Sequence, residues 1–351
     1  MGDEQQFADL VFEGGGVKGI GLAGAFSMLE RRGFRHKGVA GTSAGAITAA
    51  LVAAGHSSAE LDEIVFKLPF EEFKDATWAD RVPLIGHELN ILRQRGIYKG
   101  EFFLEWMRER LAAKGVTRFG HLVDEDAEDP DQRYLLRVIA SDVTHRRMLV
   151  LPNDADHLGI DPDELEIAYA VRMSMSIPIF FEPVVHKNPR TGEEHLIVDG
   201  GMLSNFPVWL FDCRDRVPRW PTFGMLLVEP DPKVPIGHRM HGDLEGVKPG
   251  SLLDYVKSLA QTTMEAHDRL YLEKANYART IPIPTLGVGT TEFGIPPERA
   301  RDLYDSGRQA AADFLARWDF KAYIAEFRDG KQHSRSAEMA GVLGGAQPGQ
   351  A

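Results

Sequence analysis

Two glycine-rich motifs, each lying between a short apolar run and a helix-like segment, constrain the fold of this chain more than any other feature. The first is Gly14-Gly15-Gly16-Val17-Lys18-Gly19, which follows the apolar run 8–12. The second is Gly41-Thr42-Ser43-Ala44-Gly45, which follows the run 38–40. Strands that alternate with helices are typical of a parallel sheet with helices on both faces. The sequence therefore predicts an α/β protein with a three-layer α/β/α architecture and a central, mostly parallel sheet.

The second motif has the Gly-x-Ser-x-Gly pattern of a nucleophile elbow, in which a serine lies at a sharp turn between a strand and a helix. Its flanking glycines permit the strained backbone that exposes the serine hydroxyl at the top of a sheet. A neighbouring glycine-rich loop can direct free backbone N–H groups at a developing oxyanion. The two motifs together predict a serine acyl hydrolase with Ser43 as nucleophile. The predicted elbow consists of Gly41, Thr42, Ala44 and Gly45 around that serine.

Nucleotide binding is an alternative, because the first motif also fits the G-x-G-x-x-G pattern. A dinucleotide-binding fold requires an acidic residue about twenty positions later, at the end of the second strand. Here the second strand ends in Gly41-Thr42-Ser43, without a carboxylate. The motif is not a P-loop either, because Lys18 precedes the last glycine and Ile20 follows it. These departures disfavour a nucleotide site, and the sequence predicts no cofactor.

Apolar periodicity and local signals predict the remaining elements. A capping box at Ser57-Ser58-Ala59-Glu60 predicts a helix to about Leu68, and Asp161-Pro162-Asp163-Glu164 predicts the start of another that ends near Ser176. Further helices are expected over 17–32, 44–54, 99–113, 251–276 and 297–318. Further strands are expected over 134–140, 147–151, 196–198 and 222–228.

Composition limits the possible partners and ligands. The net charge of −12, from 52 acidic and 40 basic residues, argues against a nucleic-acid partner, which needs a basic face. The single cysteine, Cys213, excludes an internal disulfide and a cysteine-based zinc site. The acidic segment 123–132 lacks the glycine and the terminal glutamate of a calcium-binding EF-hand. The sequence therefore predicts no metal site.

The ends of the chain bear on its localisation. The first residues, Met1-Gly2-Asp3-Glu4-Gln5-Gln6, are polar and acidic, unlike a secretory signal. The chain also lacks an uncharged run long enough for a transmembrane helix. These features predict a cytoplasmic or peripherally membrane-associated protein. From about Gly330 the sequence becomes polar and rich in small residues, which predicts a disordered tail over 328–351.

A third motif, Asp199-Gly200-Gly201, follows the apolar run 196–198. In this order the three motifs resemble those of the patatin-like phospholipases, which carry G-G-G-x-[RK]-G, G-x-S-x-G and D-G-[GA] and are related in fold to the catalytic domain of cytosolic phospholipase A2. The segment from Arg172 to Pro178 is also similar to the family's segment before its D-G-G motif. The resemblance covers about residues 8–210, and three motifs in order are specific where any one alone would not be.

The resemblance implies a Ser–Asp dyad without a catalytic histidine. Ser43 would be the nucleophile and Asp199 its base, with Gly200 and Gly201 completing the turn that delivers the carboxylate. The backbone N–H groups of two glycines would form the oxyanion hole, and Lys18 would stabilise that loop or the negative intermediate. The implied oxyanion-hole loop comprises Gly14, which sets the turn, Gly15 and Gly16, which donate, and Lys18 and Gly19.

The implied activity is that of a lipid acyl hydrolase that cleaves fatty-acyl esters through an acyl-Ser43 intermediate. Its substrate would be a phospholipid, a lysophospholipid or an acylglycerol, met at a membrane or micelle surface. Acyl transfer on the same dyad is an alternative that the sequence does not separate from hydrolysis. A non-catalytic lipid-binding protein is a second alternative, which the intact serine, aspartate and glycine triplet disfavour. The hydrolase domain is expected to span residues 1–327.

A conventional α/β-hydrolase with a Ser-Asp-His triad is the nearest rival fold. That fold places several strands before its nucleophile, and position 43 leaves room for only two. Residue order would allow His238, His241 or His267 to complete a triad, although none lies in a recognisable loop motif. His195 is excluded because it lies four residues before Asp199 on one strand, roughly 13 Å away at about 3.3 Å per residue.

Residues 69–98 lack a regular pattern and mix aromatic residues, prolines and scattered charges. One interpretation is an ordinary insertion packed on the core. The other is a cap over the active site that meets aggregated lipid, and the composition slightly favours the cap.

Overall fold

A computed structural model of the chain describes residues 6–67, 96–98, 100–127, 129–213, 216–229, 263, 274–290, 292 and 294–328. Residues 69–95 of the proposed cap, most of the helix expected over 251–276, and the tail beyond 328 lie outside these residues. So do the three histidines that residue order allowed in a triad, at positions 238, 241 and 267.

Ten strands and eight α-helices are formed by the described residues. The strands are β1 (Gln6–Phe12), β2 (Phe34–Thr42), β3 (Gly96–Tyr98), β4 (Leu136–Asp142), β5 (Arg147–Leu151), β6 (Ile179–Phe181), β7 (Val184–Lys187), β8 (Glu194–Asp199), β9 (Thr222–Val228) and β10 (Thr280–Pro284). The helices are α1 (Ile20–Arg31), α2 (Ala44–Ala53), α3 (Ser58–Phe66), α4 (Glu101–Ala112), α5 (Ile167–Ser174), α6 (Lys274–Ala278), α7 (Pro297–Leu315) and α8 (Phe320–Phe327).

The main sheet has the strand order β10-β9-β1-β2-β4-β8-β7, and β5 pairs with β4 beside this path. The five strands from β10 to β4 are parallel to one another. The strands β5, β8 and β7 add antiparallel pairs at one end. The mostly parallel sheet with flanking helices confirms the predicted α/β fold class.

The strand β4 brings the ends of β2 and β8 together. Thr42 pairs with Ile139 of β4, and Asp199 pairs with the next β4 residue, Ala140. Because β5 pairs with both Ile139 and Ala140, β2 and β8 lie along the opposite edge of β4. The strands β2 and β8 run in opposite directions, so their carboxyl ends meet head to head. The residue after β2 is Ser43, and β8 ends at Asp199.

Both faces of the sheet are covered by apolar side chains. One face packs against a large cluster to which α1, α2, α4, α5 and α7 contribute. The other face packs against the 3-10 turn Val208–Phe211, whose four side chains contact apolar residues of β1, β2, β4 and β9. The sheet is therefore buried on both sides, as the near-continuous apolar runs of its parallel strands require.

Local signals predicted most boundaries, and two predictions were wrong. The capping box is confirmed, because the Ser57 hydroxyl accepts the Glu60 N–H and the Glu60 carboxylate accepts the Ser57 N–H. The helix expected from Asp161 instead begins at Ile167, because the Asp163 carboxylate is bound by Arg133 and Tyr134 and holds the preceding segment in a turn. The helix expected over 297–318 ends at Leu315, and a further helix, α8, follows it.

Candidate active site

Ser43 occupies a strained turn between β2 and α2. Its backbone has φ 53° and ψ −125°, a left-handed conformation that is rare for a residue with a side chain. A Cβ atom on Gly41 would lie 2.3 Å from the Gly45 carbonyl oxygen, and one on Gly45 would lie 2.2 Å from the Phe12 carbonyl oxygen. Only glycine fits at either position. The local geometry is that of the predicted nucleophile elbow.

Two side-chain hydrogen bonds hold the elbow against neighbouring segments. The Ser43 N–H donates to the Ser174 hydroxyl of α5 at 2.9 Å. The Thr42 hydroxyl donates to the Ser204 carbonyl at 3.0 Å. These groups are buried, so the elbow is fixed by interactions that solvent does not weaken.

Asp199 lies fully buried at the end of β8, and the segment that contains Ser176 holds its backbone. The Asp199 N–H donates to the Ser176 carbonyl at 2.9 Å, and Asp199 Oδ1 accepts the Gly201 N–H at 2.8 Å. The second carboxylate oxygen, Oδ2, is buried and has no hydrogen-bond partner of standard geometry in the part of the chain described.

Burial raises the pKa of Asp199 from 3.8 to about 7, and interactions with the Ser43 side chain and the Gly201 N–H oppose that rise. The hydroxyl of Ser43 is thus close enough to lower the pKa of Asp199, although no standard hydrogen bond joins the two side chains. Such contacts commonly tighten when substrate binds. A carboxylate that titrates near neutral pH can accept a proton from a serine hydroxyl and return it later.

The glycine loop after β1 lies against the elbow. A Cβ atom on Gly14 would lie 3.0 Å from Ser43 Cβ. The Gly14 N–H is used by the Asn205 carbonyl at 3.1 Å, whereas the N–H groups of Gly15 and Gly16 have no acceptor among the described residues. Gly16 has φ +55°, and a Cβ atom there would lie 2.0 Å from the Thr290 carbonyl oxygen. The two free N–H groups are the ones that the sequence assigned to an oxyanion hole.

The basic residue of this loop is tied to the end of β9. Lys18 Nζ lies 3.0 Å from Glu229 Oε1, and the lysine side chain is mostly buried. The Lys18 N–H donates to the Gly15 carbonyl, which closes a 3-10 turn over Gly16–Gly19. Gly19 lies beside α2, where an added Cβ atom would be 3.2 Å from Ala44 Cβ. The position of Lys18 suits a role in holding the loop.

An apolar pocket opens beside Ser43. It holds about 670 Å³ of empty space including its open mouth, and its lining combines the glycine loop, the elbow and residues of the four helices α1, α2, α3 and α4. The apolar side chains on its wall include Ile47, Val65, Phe103, Met175 and Phe181. An apolar, concave pocket of this kind is suited to a hydrocarbon group.

Sequence reasoning missed several residues that position the site. Ser174 lies within the segment Arg172–Pro178 that the resemblance singled out, yet its bond to the elbow has no sequence signature. Arg172, on the same segment, donates to the Ser176 hydroxyl at 2.5 Å. Asn205 donates to the Gly14 carbonyl at 3.0 Å and accepts the Gly14 N–H through its own carbonyl. The sequence feature that pointed to Asn205 was its position shortly after Gly201 in the third motif.

The structure thus places a strained serine turn and a buried aspartate at the ends of two strands that both pair with β4 in a mostly parallel sheet. A family model described as patatin-like phospholipase matches residues 10–212. Over 314 residues, or 90% of this chain and all of the relative, the chain is 36% identical to the uncharacterized protein YqhO of Bacillus subtilis. The chain belongs to the patatin-like phospholipase family, a family of lipid hydrolases.

Two more distant similarities agree with this assignment. The chain is 23% identical to the "probable lipid hydrolase 463L" of Invertebrate iridescent virus 6, over 58% of this chain and 62% of that protein. Its fold is similar to the crystal structure of VipD from Legionella pneumophila, with a TM-score of 0.51 and 18% identity over 88% of this chain and 66% of that one. The latter similarity concerns the fold alone.

None of the helices in the described part of the chain is both long enough and apolar enough to cross a membrane.

Proposed function

We propose that this protein is a serine carboxylic-ester hydrolase that removes fatty-acyl chains from lipids through an acyl-Ser43 intermediate. The observation that carries the proposal is the meeting of β2 and β8 on one edge of β4. This meeting brings the strained turn at Ser43 against a buried carboxylate whose pKa is about 7. The family membership and the name of the viral relative support lipid as the substrate class.

In the proposed acylation step, Ser43 Oγ attacks the ester carbonyl carbon while its proton moves to Asp199 Oδ2. The negative charge that develops on the carbonyl oxygen is stabilised by the free N–H groups of Gly15 and Gly16. When the intermediate collapses, the carbon–oxygen bond to the leaving alcohol breaks and Asp199 returns the proton to that alcohol. The fatty-acyl chain then lies in the apolar pocket beside the nucleophile.

Deacylation repeats the sequence with water as the nucleophile. Asp199 accepts a proton from the attacking water, and the same N–H groups stabilise the second tetrahedral intermediate. Ser43 leaves with the proton, and the fatty acid departs. A carboxylate serves as the base here because burial raises the pKa of Asp199, so no imidazole is required.

The proposal is tested by measuring fatty-acid release from a panel of phospholipid, lysophospholipid and acylglycerol vesicles or micelles. We expect Ser43→Ala to remove activity, on the order of a millionfold in serine hydrolases that lose the nucleophile. A fluorophosphonate probe should label Ser43 in the wild-type protein and should not label the variant. Thermal unfolding should change little, because the hydroxyl leaves no large cavity. Labelling of a different serine would overturn the assignment.

A further inference from the structure

A second cluster of polar side chains lies apart from Ser43, where the turn between β4 and β5 meets β8. Asp142 Oδ2 is 2.9 Å from His145 Nδ1 and 2.8 Å from His195 Nδ1. Each residue offers one atom that could ligate a metal, a ring nitrogen or a carboxylate oxygen, and these three atoms all lie within 4.8 Å of one another. Asp142 is fully buried and His195 is 2% exposed, so two of the three groups are removed from solvent. We call Asp142, His145 and His195 the Asp–His cluster.

One carboxylate oxygen holds both imidazole rings of this cluster. Asp142 Oδ1 already accepts the N–H groups of Thr144 and His145, so Oδ2 alone faces the two rings. His145 Nε2 lies 3.0 Å from Glu193 Oε1, a contact that requires a proton on Nε2. A second proton, on His145 Nδ1, satisfies the contact with the Asp142 carboxylate. A divalent cation bound at Nδ1 would take the place of that proton.

The burial of His195 adds an independent observation. Its Nε2 atom is buried and has no partner in the described part of the chain. Burying an imidazole with one nitrogen unpaired is unfavourable by about 1–3 kcal/mol on mutational scales. Its other nitrogen, Nδ1, makes a charge-assisted hydrogen bond to the Asp142 carboxylate, which holds the ring in place. A metal–imidazole bond at Nδ1 would hold the ring in the same way.

We propose that Asp142 Oδ2, His145 Nδ1 and His195 Nδ1 bind one divalent first-row transition-metal ion. Two imidazoles and a carboxylate suit Zn²⁺ and its neighbours better than Ca²⁺ or Mg²⁺, which prefer oxygen ligands. Ligand bonds of about 2.0–2.2 Å in a tetrahedron separate the ligand atoms by roughly 3.4 Å. The two spacings to Asp142 Oδ2, 2.9 and 2.8 Å, would therefore widen by about half an ångström on metal binding, and the remaining spacing lies within 4.8 Å. The partly exposed ring of His145 leaves a side for ion entry and for a water ligand.

The surroundings fit a metal site in two further respects. The Glu193 carboxylate beside His145 Nε2 forms the carboxylate–histidine–metal arrangement that fixes the tautomer of a ligating imidazole. The guanidinium of Arg147 is directed at His157 and Asp154 and not at the three ligands. The ion would join the β4–β5 turn to the start of β8, roughly 13 Å along that strand from Asp199 at about 3.3 Å per residue. Its role is structural and separate from the proposed ester hydrolysis.

This proposal departs from the prediction of no metal site, which rested on the single cysteine and on the acidic segment 123–132. The ligands lie 3 and 50 positions apart in the chain, so they form no local motif. His195 entered the sequence analysis only as a candidate for a catalytic triad.

The test uses the full chain, stripped with a chelator and then incubated with excess Zn²⁺. After gel filtration, mass spectrometry of the metal should find one Zn²⁺ per chain. Replacement by Co²⁺ should give the visible absorption bands of nitrogen- and oxygen-ligated cobalt. Zn²⁺ should also raise the unfolding temperature of the wild-type protein. A wild-type protein that retains no metal would overturn the proposal.

Substitutions distinguish a specific metal site at the three ligands from nonspecific metal binding at the protein surface. His145→Gln and His195→Gln should lose the bound metal. Glu193→Gln, at a half-exposed side chain, should keep the fold and weaken Zn²⁺ binding about 10- to 100-fold. His157→Gln is the matched control: its ring lies 5.8 Å from that of His145, yet it is not a ligand, so binding should stay within about twofold of wild type. Equal metal retention in His145→Gln and wild type, or loss of metal in His157→Gln, would refute the ligand set. If His195→Gln does not fold, Glu193→Gln and His145→Gln decide the question.

Discussion

At the scale of single residues, the proposed chemistry depends on the protonation state of one buried carboxylate. Burial raises the pKa of Asp199 to about 7, which places its titration inside the physiological range. Below that pH the group carries a proton and is unable to accept one from Ser43. Above it, the group is an unprotonated base that is buried away from bulk solvent. Its pKa thus links the activity and the stability of the protein to the same pH window.

The first prediction concerns activity as a function of pH. With Asp199 as the base, kcat/KM should rise about tenfold per pH unit below pH 7 and level off above it. Asp199→Asn keeps the shape of the side chain and removes the base, so activity should fall by at least roughly 10²- to 10⁴-fold at every pH. Each His→Gln substitution, His195 included, should stay within about tenfold of wild type. An inactive His→Gln variant that folds normally would point to a triad and contradict the dyad.

The second prediction concerns stability as a function of pH. The folded-state pKa of Asp199 lies above its unfolded value of 3.8, so the native state binds the proton more tightly. Stability from this group is therefore complete below about pH 4 and declines as the pH rises to about 7. Asp199→Asn removes the decline, and its free energy of unfolding at pH 8 should exceed that of wild type by up to about 4 kcal/mol. Denaturant unfolding at pH 4 and pH 8 checks this: equal differences at both pH values would exclude a raised pKa.

At the scale of structural elements, the site is assembled by strand ends and helix starts that are distant in sequence. The elbow joins β2 to α2, Asp199 ends β8, and Ser174 ends α5. The three motifs on β1, β2 and β8 were predictable because each needs glycine at fixed positions. The bond from Ser43 N–H to Ser174 was not predictable, because a serine in a helix sequence carries no sign of what lies opposite it.

The third prediction tests that bond. Ser174→Ala leaves the buried Ser43 N–H without an acceptor, which costs about 1–3 kcal/mol of stability. The elbow also loses a fixed point, so kcat should fall more than KM rises. Ser27→Ala is the matched control, since Ser27 is a buried helical serine whose hydroxyl donates to the Gly24 carbonyl away from the site. Stability and ester hydrolysis are measured for both variants, and similar kcat values for the two would argue against a positioning role for Ser174.

The fourth prediction concerns the pocket wall contributed by α2. Ile47 faces the pocket one turn after the nucleophile, so Ile47→Trp should fill space that the fatty-acyl chain occupies. Hydrolysis of dodecanoyl esters should fall at least about tenfold relative to butanoyl esters, whose short chains need less of the pocket. Val185→Trp, at an exposed position on β7, is the control and should leave the ratio unchanged. An unchanged ratio in Ile47→Trp would place the acyl chain elsewhere.

At the scale of the whole molecule, the sheet brings the first third of the chain together with its last part. The strands β9 and β10 extend the sheet beyond β1, and α7 packs along α1, where an added Cβ on Gly24 would lie 2.0 Å from the Tyr304 carbonyl oxygen. Strand–helix alternation in the first 60 residues was sufficient to predict the fold class. It did not predict the antiparallel strands beside β4, because pairing at a sheet edge depends on which turns bring distant segments together.

The contacts of the last described helix, α8, bear on the proposed end of the hydrolase domain near residue 327. The final helix α8 is held to the core by Tyr323, which packs on Trp318 with ring centroids 5.3 Å apart. Arg328 just after it lies 2.7 Å from the buried Asp212, which also contacts Arg279 at 2.8 Å. The described part of the chain thus ends on a buried ionic contact, which indicates that the folded unit includes α8.

The last prediction compares two shortened chains with the full one. A chain that ends at Gly330 keeps α8 and Arg328, so its stability and ester hydrolysis should match those of the full chain. A chain that ends at Trp318 loses the buried Tyr323 and exposes the ring of Trp318, which should cost at least about 3 kcal/mol. Arg328→Gln in the full chain removes the ion pair with Asp212 and leaves α8 in place. It should cost about 1–3 kcal/mol of stability, because Asp212 keeps its contact with Arg279. If the chain that ends at Gly330 is as unstable as the shorter one, the domain extends into the last twenty or so residues and the proposed boundary is wrong.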